Sequence, residues 1–131
     1  MSPKLKLRWL KAASLVVQVA IERVDAPALC PGEAGEATLT GEVRRVFRGD
    51  YACGARISFR MAVYSERPPT GDCYEDIERL RAARVIEAYL VRDVVEPRVW
   101  SALDTWLVEA LSDEPLFLKE LKRRVARGDP Y

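Results

Sequence analysis

A mainly β fold with C-terminal helices, an α+β chain built on a small Greek-key β-barrel, is what this sequence predicts, on three observations. Apolar and polar residues alternate with period two in successive segments, turns containing Pro and Gly separate those segments, and the apolar spacing lengthens to a helical one in the tail. A single domain over residues 1–131 is expected, with the barrel over 4–96 and a helical extension over 97–127.

Residues 4–10 alternate, with Leu5, Leu7 and Trp9 facing one way and Lys4, Lys6 and Arg8 the other, and predict the first half of a long strand. After a bend at Lys11 and Ala12 the strand continues over 13–24, because closing a barrel requires strongly coiled strands. The segment DAPALCPGEAGE, with two prolines and two glycines, breaks regular structure. Alternation returns from Ala37, until Arg44 and Arg45 break the parity before Val46 and Phe47 as a β-bulge would. RGDYACGA forms the next turn, and Ile57, Phe59, Met61 and Val63 line one face of the strand after it. Pro68 and Pro69 end that strand. Asp72 with Glu75 three residues on makes a capping box for a short helix through Ile77 and Leu80. Residues 85–95 form the last expected strand, closed by Pro97. Beyond it Val99, Leu103, Trp106, Leu107, Ala110 and Leu111 fall at helical spacing. Ser112 is the expected N-cap of a second helix, with Asp113 and Glu114 in its positive first turn and Lys122, Arg123 and Arg124 toward its negative end.

Twenty-one Lys and Arg against 20 Asp and Glu leave a net charge of +1, so no global field announces a nucleic acid or a membrane, and either partner would need a local patch. No stretch approaches the ~20 apolar residues of a membrane helix, and no membrane partner is expected. Residues 4–11, basic, and 12–21, apolar, have the outline of a secretory signal, but Gln18 interrupts the run and its alternation favours a strand. The cytoplasm is the expected compartment, with export as the alternative. Cys30, Cys53 and Cys73 show no C-x-x-C spacing and are expected as reduced thiols; an exported chain would allow one disulfide.

The chain has no histidine, which removes Ser-His-Asp and Cys-His nucleophile activation and His-containing metal sites. No Gly-rich phosphate loop is present, and no cofactor is expected. Asp72, Glu75, Asp76 and Glu78 form an acidic cluster that could hold a hard cation, although a charged helix N-terminus accounts for it. Glu87 is the one carboxylate that burial would turn into an acid/base candidate, and on a half-exposed strand it is expected to point to solvent. The binding candidates are Arg44, Arg45, Arg48, Tyr51, Arg56 and Arg60, a composition suited to single-stranded nucleic acid, where cations track phosphates and rings stack on bases. Phe59 and Phe47 are expected in the core, which leaves Tyr51, Tyr64 and Tyr74 as stackers, and Glu42, Asp50 and Glu66 lie near enough in sequence to pair with the arginines.

The segments ASLVVQVAIERV, ATLTGEVRRVFRG, RISFRMAV and LRAARVIEAYL together resemble the OB-like barrel of netrin-like modules, known from tissue inhibitors of metalloproteinases and from many bacterial proteins. Val43, Val46, Phe47, Arg48 and Gly49 match the central V-x-x-V-[FWL]-[KR]-G stretch, and residues 80–90 look like the closing one, with Ala83 where glycine is usual. The resemblance covers residues 13–92 and implies a small OB-like Greek-key β-barrel used as a binding module. It does not carry over metalloproteinase inhibition, which uses an N-terminal cysteine, because the first cysteine here is Cys30. The expected function is a non-enzymatic module that binds a protein or its own copy, the latter through Trp100, Trp106, Leu116, Phe117, Leu118 and Leu121. Single-stranded nucleic-acid binding is the alternative, and a carboxylate or divalent-cation-dependent enzyme the third.

Overall fold

Alternating sequence gives a barrel because each strand can bury one face inside a closed sheet while the other meets solvent or a covering helix. The computed structural model describes residues 2–65 and 77–129. Strands β1 (Leu15–Asp25), β2 (Ala34–Arg48), β3 (Arg56–Tyr64), β4 (Val85–Arg92) and β5 (Trp100–Val108) close in the order β1-β2-β3-β5-β4. This is the small OB-like barrel expected, with a fifth strand in place of the helix read over 99–111. β1 pairs antiparallel with both β2 and β4, and β4 pairs antiparallel with β5. Closure falls to β3 and β5, which run parallel and pair only at Phe59 with Trp100 and Arg60 with Ser101.

The β1–β2 register carries the bulge foreseen at the double arginine. Gln18 pairs with Arg45 and Val19 with Val43, which leaves Arg44 as the extra residue. Gly41 is required where β1 crosses close to β2, since a Cβ there would lie 2.2 Å from the Ala20 carbonyl oxygen. Gly49 ends β2 at φ +98°, a conformation that L side chains resist, with the Ser14 carbonyl oxygen 2.5 Å from where a Cβ would stand. Inside the barrel Leu15, Val17, Val19, Leu39, Phe59 and Leu90 form one core, and Leu80 of helix α2 (Ile77–Ala82) packs into it. Complete burial of Phe59 alone stabilises the fold by about 2–3 kcal/mol.

Two expected elements change type. Residues 4–10 form helix α1 (Pro3–Leu10) rather than half a strand. Ser2 caps it by accepting from the Leu5 N–H, Pro3 sits at its first turn, and Pro3, Lys6 and Leu10 turn inward together at helical spacing. The tail over 99–111, read as a helix, is β5, so the barrel runs to Val108 and the expected last strand is followed by another. The helical spacing arose because β5 is apolar on both faces. Trp100, Ala102 and Leu107 pack against the barrel core, while Leu103 and Trp106 face a second core outside it. A register shift at Tyr89 and Leu90 places Leu103 out of strict alternation.

That second core lies between the outer wall of β1, β4 and β5 and two helices, α1 and α3 (Leu116–Ala126). Leu10, Ala13, Val16, Tyr89, Phe117 and Leu121 are its buried members. Phe117 stacks on Trp106 with centroids 4.5 Å apart and meets Tyr89 edge-on at 5.8 Å. Trp106, Phe117 and Leu121, expected to offer a surface to another copy, are thus engaged with the barrel wall. None of the described helices is long and apolar enough to cross a membrane.

Candidate binding surface

The arginines of the β2–β3 hairpin do not converge on one face. Arg44 lies 3.9 Å from Glu42, and Arg45 reaches Asp113 at 3.8 Å. Arg56 pairs with Glu22 across on β1. Arg60 bridges two carboxylates, Glu36 of β2 at 3.7 Å and Glu96 of the β4–β5 loop at 3.1 Å, and so spans the short β3–β5 closure. Arg48 points the other way. Its guanidinium donates to the carbonyls of Leu10 at 3.2 Å and Ala13 at 3.1 Å, and so satisfies the carbonyl-bearing end of α1. Tyr51 is half-buried, donates its hydroxyl to the Arg56 carbonyl at 2.7 Å and packs edge-on to Trp100, so its ring is already in use. Phe59 lies in the core as expected, and Phe47 packs against the second core.

Of the acidic candidates, Asp72, Glu75 and Asp76 lie outside the described residues, as do Cys73, Tyr74, Glu66 and the capping box. Cys30 and Cys53 are free and exposed. Among the described residues no three potential metal-ligating side chains come together.

Glu87 corrects the expectation that it points to solvent. It is completely buried, on β4 between two paired strands, with its side chain toward the helix layer. Its two oxygens accept from the backbone N–H groups of Leu116 and Phe117, each at 2.7 Å, from Gln18 Nε2 at 3.0 Å and from the Tyr89 hydroxyl at 2.5 Å. Burial pushes the Tyr89 hydroxyl far above its usual range, and the adjoining Glu87 carboxylate adds to the rise. Ser112 is therefore not the cap of α3. Pro115 occupies that position without a side-chain bond, Glu87 supplies the acceptors from the barrel wall, and Ser112 instead exchanges hydrogen bonds with Gln18. The barrel and α3 are joined by one satisfied polar network beneath the apolar layer.

The β4–β5 loop was missed at the level of sequence. Val94 and Val95 are 96% and 86% exposed, the most open large apolar side chains among the described residues. The loop that carries them is nonetheless held firmly. Asp93 accepts from the N–H groups of Val95 at 2.8 Å and Glu96 at 3.0 Å and from the Ser101 hydroxyl at 3.1 Å. Those backbone donors, the Glu96 N–H first, hold the Asp93 carboxyl below its ordinary value. The Asp93 N–H donates to the Val99 carbonyl, and the Val99 N–H to that of Glu96, closing the loop on itself. At its base Arg92 lies 3.9 Å above the Trp100 ring. The signal in the sequence was the Asp-x-x-Glu-Pro run, obscured by assigning Val94 and Val95 to a strand.

No family model matches the chain, and no curated protein is similar to it. The class is therefore the one its own topology defines, a five-stranded OB-like barrel with a helix layer on one wall.

Proposed function

We propose that the chain is a non-enzymatic protein-binding module whose contact surface is the β4–β5 loop with the adjoining outer face of β3. The observation that carries this reading is the pair Val94 and Val95, exposed to water on a loop ordered by five hydrogen bonds within residues 93–101. Two apolar side chains fixed in position lose little freedom on binding, and Arg92, Glu96 and Arg98 supply the charged rim that surrounds an apolar contact centre. The hairpin arginines favour a protein over a nucleic acid in this role, because phosphates would have to displace Glu22, Glu36, Glu96 and Asp113 from their cations. A non-enzymatic role fits the use of Glu87, whose oxygens are spent on four donors.

The test places a photo-crosslinking residue at position 95 and exposes the protein to an extract of its source cells. A discrete adduct, suppressed by excess wild-type protein but not by excess Val94→Asp/Val95→Asp protein, is the expected result. Sedimentation of the purified chain identifies a second copy as the partner if the adduct is a dimer. Equal suppression by both competitors would overturn the assignment of the loop, and tight, steeply salt-dependent binding of single-stranded oligonucleotides would move the function to the hairpin.

A further inference from the structure

The outward side of α1 carries a different chemistry. Successive helical residues are rotated by about 100°, so once Pro3, Lys6 and Leu10 face inward, Lys4, Arg8, Leu5 and Trp9 share the outward arc. Leu5 is 52% and Trp9 38% exposed. Lys4, Arg8 and the C-capping Lys11 are exposed, and none has a carboxylate within 4.0 Å among the described residues. The first acidic residue of the chain is Glu22, so α1 has no negative charge of its own. Among the described residues Lys6 alone of the α1 cations is neutralised, by Asp104 at 2.7 Å, and its ammonium lies 5.5 Å from the Trp9 ring centroid, which helps to fix the indole.

We infer that this face of α1 is a docking surface for an anionic lipid bilayer, on which the helix lies with Leu5 and Trp9 entering the headgroup boundary and Lys4, Arg8 and Lys11 paired with phosphate or carboxylate headgroups. Charge complementarity specifies the sign of the occupant. Its form follows from the residues: an outward helical ridge meets a planar surface along its length, indole rings settle at membrane interfaces, and Lys and Arg lay their alkyl stems along apolar surface while their heads stay in water. This is attachment in the plane of the interface, without a spanning segment, and it is independent of the β4–β5 loop.

The experiment is flotation of the purified full chain with vesicles of phosphatidylcholine alone and of phosphatidylcholine with phosphatidylserine, at low and physiological salt. Three cations near an anionic surface predict a rise in partitioning on the order of a hundredfold when the anionic lipid is present. Lys4→Glu/Arg8→Glu removes that rise, and Leu5→Ser reduces partitioning to anionic vesicles while leaving the salt dependence; both sites are exposed, and unchanged melting verifies the fold. No binding to anionic vesicles overturns the inference. So does binding that Leu5→Ser and Trp9→Ser leave unchanged and that an acidic polypeptide competes away, since the face would then be a general anion surface or a seat for an acidic protein segment.

Discussion

The β2–β3 hairpin and helix α1 are both rich in cations, and they use them in opposite ways. On the hairpin each binding candidate among the arginines already has a partner in the same molecule: carboxylates for Arg44, Arg45, Arg56 and Arg60, and backbone carbonyls for Arg48. On α1 only the inward Lys6 is paired with a carboxylate among the described residues, and the outward cations stand beside exposed Leu5 and Trp9. A count of arginines thus does not tell which cations folding leaves unpaired. What distinguishes a surface open to a partner is charge left uncompensated after folding.

The largest effect that sharpens this contrast comes from beneath the helices. Glu87→Leu strands the Leu116 and Phe117 N–H groups, Gln18 and Tyr89, and is expected to cost about 3–5 kcal/mol in denaturant unfolding, with loss of α3 contacts in near-ultraviolet circular dichroism. Arg48→Ala follows, at about 2 kcal/mol, because a charged donor is removed from the carbonyl end of α1. Arg60→Ala is expected to cost no more than about 1 kcal/mol, since both its ion pairs are solvent-exposed. A loss for Arg60 larger than that for Arg48 would break the comparison and make the β3–β5 bridge a principal support.

Acid offers a local probe. The Asp93 carboxyl is held below its ordinary value in the folded chain, so its hold on the loop is complete above about pH 4 and is lost as pH falls through that lowered value. Carboxyl-carbon NMR should give a midpoint below that of an unfolded aspartate, and a midpoint at or above the unfolded one would mean that the loop is not held by this side chain. The smallest expected change is in the stability of Lys4→Ser/Arg8→Ser, within about 0.5 kcal/mol of wild type, because these side chains have no ion-pair partner to lose among the described residues. A substantial loss there would show that the α1 cations hold the fold together in the way those of the hairpin do.

The barrel was legible because β2 and β3 each bury one face, and period two survives where only one face is buried; β1 is buried on both faces over residues 15–19, but the polar Gln18 on its outer side kept the alternation readable. β5 was illegible for the converse reason: packed on both sides, by the interior and by α3, it acquired a spacing that imitates a helix. Residues 4–10 failed in the other direction. The residues that alternate basic and apolar over 4–9 equally place positions 3, 6 and 10 on one side when wound as a helix, and the packing of α1 on α3 and the barrel wall decides between the two. That error hid the α1 surface, because a strand would have set all the cations opposite all the apolar residues. The cap of α3 could not be read locally, since Glu87 is 29 residues from the Leu116 N–H that it accepts from.

The two-residue seam between β3 and β5 has a consequence for how the chain is made. As the polypeptide leaves the ribosome, β3, β2, β1 and β4 can assemble in that lateral order as an open sheet, with the backbone edges of β3 and β4 both unsatisfied. Only when residues 100–108 emerge can one edge be paired along its length and the other touched at Phe59 and Arg60. Until that moment the incomplete chain presents open edges that invite pairing with a neighbouring chain.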